Sequence, residues 1–376
     1  MSQKSKEEYL ELMRVRYAGR GREGKSRLID EVCELLGVGR KHAIKMLNRA
    51  VGEPPPRPGR PRLYGSDEAD VLKGIWKAGE QPCGKRLKAM VPRWLPFYES
   101  ENGKLPVKLR RNLERMSAAS MDRLLAPAKA KLNKGRGGTK PGSLLKTQIP
   151  IQSGPWDVDR PGYLEADTVA HCGGSMAGDF VWSITFTDIA SGWTENRATW
   201  NKGAQGVLAQ VVDMETILPF PILGFDTDNG SEFLNTHLMS HFLNRGKPVK
   251  FTRSRPYHKN DNAHVEQKNW THVRQLLGYQ RLEDVSKVEL INELYREDWS
   301  RFQNFFQPNM KLIRKEKIGS KTRRLYDEPR TPFDRMKRLK RGVNPKRIKR
   351  MNEEFREMNP FELRRQMEAR LKEILR

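Results

Sequence analysis

The feature that most constrains this chain is a reversal of character near residue 161. The net formal charge of +25 over 376 residues is unevenly laid out: +6 over 1–60, +10 over 61–160, −2 over 161–280 and +11 over 281–376. Apolar residues gather in the same acidic centre. An apolar, slightly acidic middle between basic arms suits a folded core that meets a polyanion, because lysines and arginines that neutralise phosphates release counterions. The length alone suggests roughly two to four domains. No stretch approaches the roughly 18–20 uninterrupted apolar residues of a membrane span, so no membrane partner is expected. The opening MSQKSKEEYLELM lacks the apolar run of a signal peptide. Cys33, Cys83 and Cys172 lie far apart with no CxxC. That pattern argues against a disulfide framework or a cysteine-rich zinc site and for a reducing, cytoplasmic setting.

The arms read as helical. In 1–52, Leu28, Ile29, Val32, Leu35 and Leu36 recur at helical spacing, Gly37-Val38-Gly39 interrupts, and Ala43, Ile44 and Leu47 resume the period. Arg40, Lys41, Lys45, Asn48 and Arg49 fall on the other face of the second helix. Helix, glycine turn, basic helix is the helix-turn-helix plan, whose second helix reads a major groove. Residues 53–65 form a proline-rich linker, with Arg57 and Arg60 as candidate backbone contacts. Residues 66–132 read as a second helical DNA-binding unit, with Arg123 on the segment SAASMDRLL. Residues 133–160 are a second linker, rich in glycine and basic residues.

From 161 to 285 the pattern changes to strands. GYLEADTVAH, VWSITFTDIA and Thr194–Trp200 read as three strands, Ala204–Ile217 as a helix and Ile222–Asp228 as a short buried strand. Thr236–Asn244 reads as a helix, Val249–Arg253 as a last strand and Asn262–Leu277 as a long helix. Strands first, then alternating helix and strand, predict a mixed sheet with helices on both faces. Residues 286–376 are expected to be a basic, mostly helical tail.

Carboxylates in apolar strands are costly unless paired or bound to a metal. Asp167 lies inside the first strand. Asp228 ends a buried strand before the turn Asn229-Gly230-Ser231, where open sheets place their sites. Glu266 falls in the first turns of the long helix, after the polar loop 254–261. Three acids from separate elements, with no cysteine or histidine needed, are the donor set for hard divalent cations. Two such cations activate a nucleophile and stabilise a leaving oxygen in phosphodiester chemistry.

Asp228-Asn229-Gly230-Ser231-Glu232-Phe233 and the stretch Arg255 to Asn269, which contains HVEQKN, resemble the integrase catalytic core of bacterial insertion-sequence transposases. That core is itself similar to retroviral integrases. GYLEADTV resembles its first strand. Sixty residues separate Asp167 from Asp228 and 37 separate Asp228 from Glu266. The resemblance covers about 160–285 and implies an α/β RNase H-like core, a mixed five-stranded sheet with helices, in which Asp167, Asp228 and Glu266 are the catalytic, metal-binding triad. It implies two Mg²⁺ ions, with Mn²⁺ as substitute. Retroviral integrases carry a His/His/Cys/Cys zinc unit at the N-terminus. Here the first 60 residues hold only His42 and Cys33, so no zinc is expected.

Around the triad, Glu165, Asp188, Asp226, Asn229, His264 and Asn269 are candidates for supporting roles, and His258, Lys259, Lys268 and Arg274 for DNA contact. Asn269 and Trp270 lie one turn beyond Glu266 as candidates to meet a DNA end, the other reading of Trp270 being core. The implied activity is that of a DNA transposase. It binds terminal inverted repeats, cleaves at the element end and joins the 3′ hydroxyl to target DNA as a dimer or larger assembly. Its setting would be cytoplasmic and nucleoid-associated. Two alternatives share these features: an RNase H-like nuclease without strand transfer, and a catalytically silent DNA-binding regulator derived from a transposase.

Overall fold

Five short segments pair into one sheet in a computed structural model that describes residues 3–49, 63–130, 159–227, 230, 232–253, 263–318, 321–339 and 341–376. They are β1 (Tyr163–Ala170), β2 (Val181–Asp188), β3 (Thr194–Trp200), β4 (Gly224–Thr227) and β5 (Lys250–Arg253). Their order is β3-β2-β1-β4-β5. β1, β2 and β3 are antiparallel, and β4 and β5 run parallel to β1. This is the mixed five-stranded sheet expected of an RNase H-like core.

Strand alternation gives the sheet two unlike faces. Ala166, Phe186 and Phe225 belong to one of them, with the Phe225 ring tilted against Phe242 at 4.7 Å between centroids. This apolar face lies under α8 (Ala204–Ile217) and α9 (Thr236–Leu243). The other face is polar: Glu165 and Asp167 of β1 stand in register with Thr187 and Thr185, and Thr185 with Asn196. On that side lies α10 (263–277), whose middle, Asn269–Arg274, winds in wide π-helical turns.

β3 is an edge strand, and an unpaired edge leaves backbone groups in search of partners. A second long helix, α11 (287–306), supplies them from side chains. Asn304 accepts from the Thr194 N–H and donates to the Thr194 carbonyl, both at 2.9 Å. Asn292 does the same for Ala198, at 2.7 and 3.0 Å. One helix face thus replaces the missing sixth strand, and both asparagines are buried.

The chain divides into two compact units, 1–63 and 64–376. Among the described residues the first holds three helices, α1 (Gln3–Ala18), α2 (Arg22–Leu36) and α3 (Arg40–Leu47), around Leu10, Met13, Leu28, Ile29, Val32, Ala43 and Leu47. Gly37 closes α2 at φ +64°, a left-handed conformation that favours glycine.

In the second unit, the helices α4 (Ser66–Ala78), α5 (Gly84–Asn102), α6 (Val107–Arg115) and α7 (Ala118–Ala130) share one core with the sheet region. Trp94 of α5 is fully buried edge-on against Phe302, Phe306 and Phe361, at 6.0, 6.3 and 5.1 Å between centroids. Its indole N–H donates to the Phe306 carbonyl. Residues 66–130, within the stretch 66–132 read from sequence as a unit of its own, share that core with the sheet region. Three further helices, α12 (Pro332–Arg338), α13 (Pro345–Glu357) and α14 (Pro360–Ile374), come after a hairpin, β6 (Leu312–Ile318) and β7 (Lys321–Tyr326), that departs from the helical tail expected there. Among the described residues, no helix is long and apolar enough to cross a membrane.

Just past β1, His171 is fully buried. Its Nε2 meets the Ser183 hydroxyl at 2.8 Å, which in turn meets the Tyr295 hydroxyl at 2.7 Å. Burial, with the Arg274 guanidinium adding to it, pushes the imidazole down to about 3.

Both features bear on stability. Replacing Asn304 with leucine strands the Thr194 N–H and carbonyl inside the protein, and is expected to cost about 3 kcal/mol in urea unfolding. The His171 ring stays neutral in the fold while the unfolded ring takes a proton near pH 6.5. Its contribution is therefore complete above pH 6.5 and is lost as pH falls toward 3. Between pH 7 and 5 that one group should remove about 2 kcal/mol. His171→Asn should flatten the difference between urea midpoints at those two pH values.

Candidate functional site

The site is built where β1, β4 and α10 meet. β1 and β4 are parallel, with Leu164 beside Phe225, Glu165 beside Asp226 and Ala166 beside Thr227. Asp167 follows Ala166, and Asp228 follows Thr227 in sequence. Asp228 itself, with Asn229, lies outside the described residues, as do His258, Lys259, Arg57 and Arg60. For His264 and Glu266 the backbone alone is described, in the first turns of α10.

Two contacts lay α10 along β1. The buried Glu165 carboxylate accepts the Val265 N–H at 3.1 Å. That donor belongs to the first turn of the helix, where N–H groups lack intrahelical partners and the dipole favours an anion. One turn on, Asn269 Nδ2 donates to Asp167 Oδ2 at 2.6 Å. Geometry explains why both form together. Two strand residues rise about 6.7 Å and four helical residues about 6 Å, so Glu165 and Asp167 match Val265 and Asn269 when the elements run side by side. Glu266 occupies the helical position next to Val265 and three before Asn269.

The remaining candidate acids divide. Asp226 is buried on the same face as Glu165 and accepts from the Thr252 hydroxyl. Asp188 is buried at the opposite end of the sheet. It accepts the Gly162 N–H at 2.8 Å, the Ser191 N–H at 2.7 Å and the Ser191 hydroxyl at 2.6 Å. It closes the β2–β3 turn rather than joining Asp167, and burial raises its pKa. Glu232 accepts from Thr168, whose side chain leaves β1 on the face away from Asp167, and pairs with Lys202 at 3.4 Å.

Among the cations, Lys41, Lys45 and Arg49 are exposed on or just beyond α3, beside the exposed Asn48. The Arg40 guanidinium turns back to Asp30 and Ser26 of α2. Arg123 is exposed on α7 and donates to Ser120 at 3.2 Å. Lys268 is half-buried, 3.3 Å from His272 Nε2, and burial together with the nearby Arg86, Arg335 and Lys311 brings its ammonium down to about 7. Arg274 lies over the Tyr279 ring at 4.9 Å, within reach of the His171 and Tyr295 pocket. Trp270, for which the sequence left core and DNA-end contact open, is 49% exposed beside Asn269.

The donors suit a hard divalent cation. Asp167 is half-buried with its oxygens toward Thr168 N–H and Asn269. The Asn269 amide oxygen, beside that carboxylate, is buried and finds no hydrogen-bond donor among the described residues. A carboxylate and an orphaned carbonyl-type oxygen are the ligands that Mg²⁺ and its waters take. Among the described residues no three of His, Cys, Asp and Glu converge on one point. Asp167 and Asn269 would hold the cation together with Asp228 and Glu266, whose carboxylates the described atoms do not include.

No model of a known protein family matches the chain. Among solved structures, the catalytic core domain of HTLV-2 integrase, in complex with magnesium and in its dimeric form, aligns with 40% of this chain and 91% of that one. The sequence identity is 14% and the TM-score 0.29. The uncharacterized protein y4rM of Sinorhizobium fredii (strain NBRC 101917 / NGR234) is 37% identical over 342 residues, which span 89% of this chain and 96% of y4rM. Likeness at that level over nearly the whole of both chains shows common descent, and the chain belongs to the y4rM family.

Proposed function

We propose that the protein is a DNA transposase that uses a DDE triad, Asp167, Asp228 and Glu266, to cleave element ends and join their 3′ hydroxyls to target DNA. The observation that carries the reading is the seating of α10 on β1, which puts Asn269 on Asp167 and so brings the helix of Glu266 to the strand end where β1 and β4 pair. The DNGSEF and HVEQKN stretches supply the second and third acids in the order and spacing of the family they resemble. The three-helix unit 3–49, with Lys41, Lys45, Asn48 and Arg49 exposed along one helix and just after it, supports a helix-turn-helix role in reading the ends.

When bound, Mg²⁺ or Mn²⁺ supplies a water of lowered pKa and a positive charge against the reacting phosphate. The chain's own residues set the stage. Glu165 fixes the start of α10 to β1. Asn269 holds the Asp167 carboxylate in one rotamer, and the Thr168 N–H orients its other oxygen. The basic arms bring the DNA, and two ends must meet for joining, so a dimer or larger assembly on DNA is part of the proposal.

The test is an assay with labelled end oligonucleotides, a plasmid target and Mg²⁺ or Mn²⁺. Joined product is expected. Cleavage without joining would point to a nuclease, and binding alone to a regulator. Asp167→Asn and Asp228→Asn should each lower joining by roughly a thousandfold, a loss of several kcal/mol of charge stabilisation, while leaving end binding intact. Undiminished joining by either variant would end the assignment. Asn269 does not react: its amide N–H holds Asp167, and its amide oxygen is offered to the cation. Asn269→Ala should cost roughly tenfold to a hundredfold, the worth of one hydrogen bond to a charge, and raise the Mg²⁺ concentration needed for half-maximal rate.

A further inference from the structure

The hairpin β6–β7 is a feature that the site does not use. Its foot is fixed. Lys311 N–H donates to Asp327 Oδ1 at 2.7 Å, Asp327 N–H donates to the Lys311 carbonyl at 2.9 Å, and Asn309 and Arg330 exchange both backbone hydrogen bonds. Arg335 reaches both Asp327 and Asn309, and the Lys311 ammonium reaches the Ile189 and Ala190 carbonyls beside the sheet. Beyond this foot the two strands form a separate two-stranded sheet, with only each other as strand neighbours among the described residues. Such a ribbon is marginal by itself.

Its composition makes it costlier still. Residues 311–326 contain seven lysines and arginines against one acid, Glu316. Lys315 stands opposite Arg324 in the register, and like charges directly across a ladder are destabilising. Glu316 faces Arg323 but is already bound to Arg314 at 2.6 Å. Arg314, Arg323 and Arg324 are all exposed. Ile313 is the extra residue where the register shifts between Leu312 and Arg314, and a bulge there strengthens the local twist and re-aims the side chains beyond it. A ribbon anchored at its foot and self-repelling along its length becomes favourable when a polyanion lies against it.

We infer that β6–β7 is a DNA-binding arm that sets Arg323, Arg324 and their neighbours against the phosphates of a duplex. The inference takes its partner from the function proposed above but needs none of the catalytic acids. Seven strand residues span about 23 Å, and a two-stranded ribbon fits the major groove, about 12 Å wide. A second copy of the hairpin is disfavoured as the occupant by its own charge. An anionic membrane surface fits less well, because the exposed apolar residues Leu312, Ile313 and Tyr326 belong to the foot rather than the tip.

The test uses the full chain carrying Asp167→Asn, so that no cleavage intervenes, and monitors binding to a duplex of about 30 bp by fluorescence anisotropy across a salt series. Arg323→Ala with Arg324→Ala is expected to reduce the slope of log K against log salt by about 1.8, two phosphate contacts at about 0.9 each. Arg323→Lys with Arg324→Lys should keep the slope. An unaltered melting temperature of the alanine pair shows that the fold survives, since both side chains are exposed. An unchanged slope in the alanine pair overturns the inference. So does a loss of binding to phosphatidylserine vesicles with duplex binding intact. If the unsubstituted chain never cleaves or joins DNA yet shows this arm-dependent slope, the catalytic reading fails and the arm stands.

Discussion

The contact on which the rest of the site depends is the Glu165 carboxylate under the first turn of α10. A buried acid on a central strand is unfavourable until something meets it, and here the Val265 N–H, together with the positive end of the helix, does so. The bond fixes where α10 begins along β1, and the near match of helical and strand rise carries that alignment forward to Asn269 and Asp167. The wide turns that start at Asn269 change the helical phase immediately afterwards. Val273, Leu276 and Leu277 are then buried while Trp270 stays exposed. Such turns recur at functional positions in helices.

Buried polar groups hold the β3 edge of the sheet still, Glu195 and Arg197 on the side that carries Phe186 and Ile184. On β3, asparagine side chains answer the edge backbone, and the buried Arg197 is matched by Asp213 and by Glu195, 3.6 Å away. Glu195 also receives the Trp193 indole N–H at 2.8 Å and the Ser300 hydroxyl at 2.7 Å. Burial raises the Glu195 carboxyl, and Arg197 opposes that rise. Polar groups sealed in this way impose one register, because a slip by one residue leaves each of them unpaired.

Much of this is legible in the sequence, for identifiable reasons. Period-two alternation marks β1 and β2, and acids inside apolar runs mark Glu165 and Asp167 as residues needing a partner. Helical spacing marks α2, α3, α8 and α10. The hidden features depend on distant partners. Asn304 and Asn292 look like ordinary helix-surface amides, and their partners Thr194 and Ala198 lie 110 and 94 residues away. Asp188, like Asp167, is an acid in an apolar strand, and the pairing register, which sets it opposite Leu164 beside the Gly162 and Ser191 donors, separates their roles. The hairpin reads as helical tail because its charge masks the alternation that usually betrays a strand. The basic run 107–116 draws attention to charge, whereas α5, through Trp94, ties that region to the rest.

Trp94 also bears on how the chain is made. Its ring lies against Phe302, Phe306 and Phe361, residues that leave the ribosome more than two hundred positions later. At roughly 5–20 residues per second, α5 waits on the order of ten to fifty seconds with its indole unsheltered. The helices 66–130 are thus early in synthesis and late in completion. Nascent chains of this protein are expected to lean on cellular holdases until α14 emerges to close the aromatic cluster.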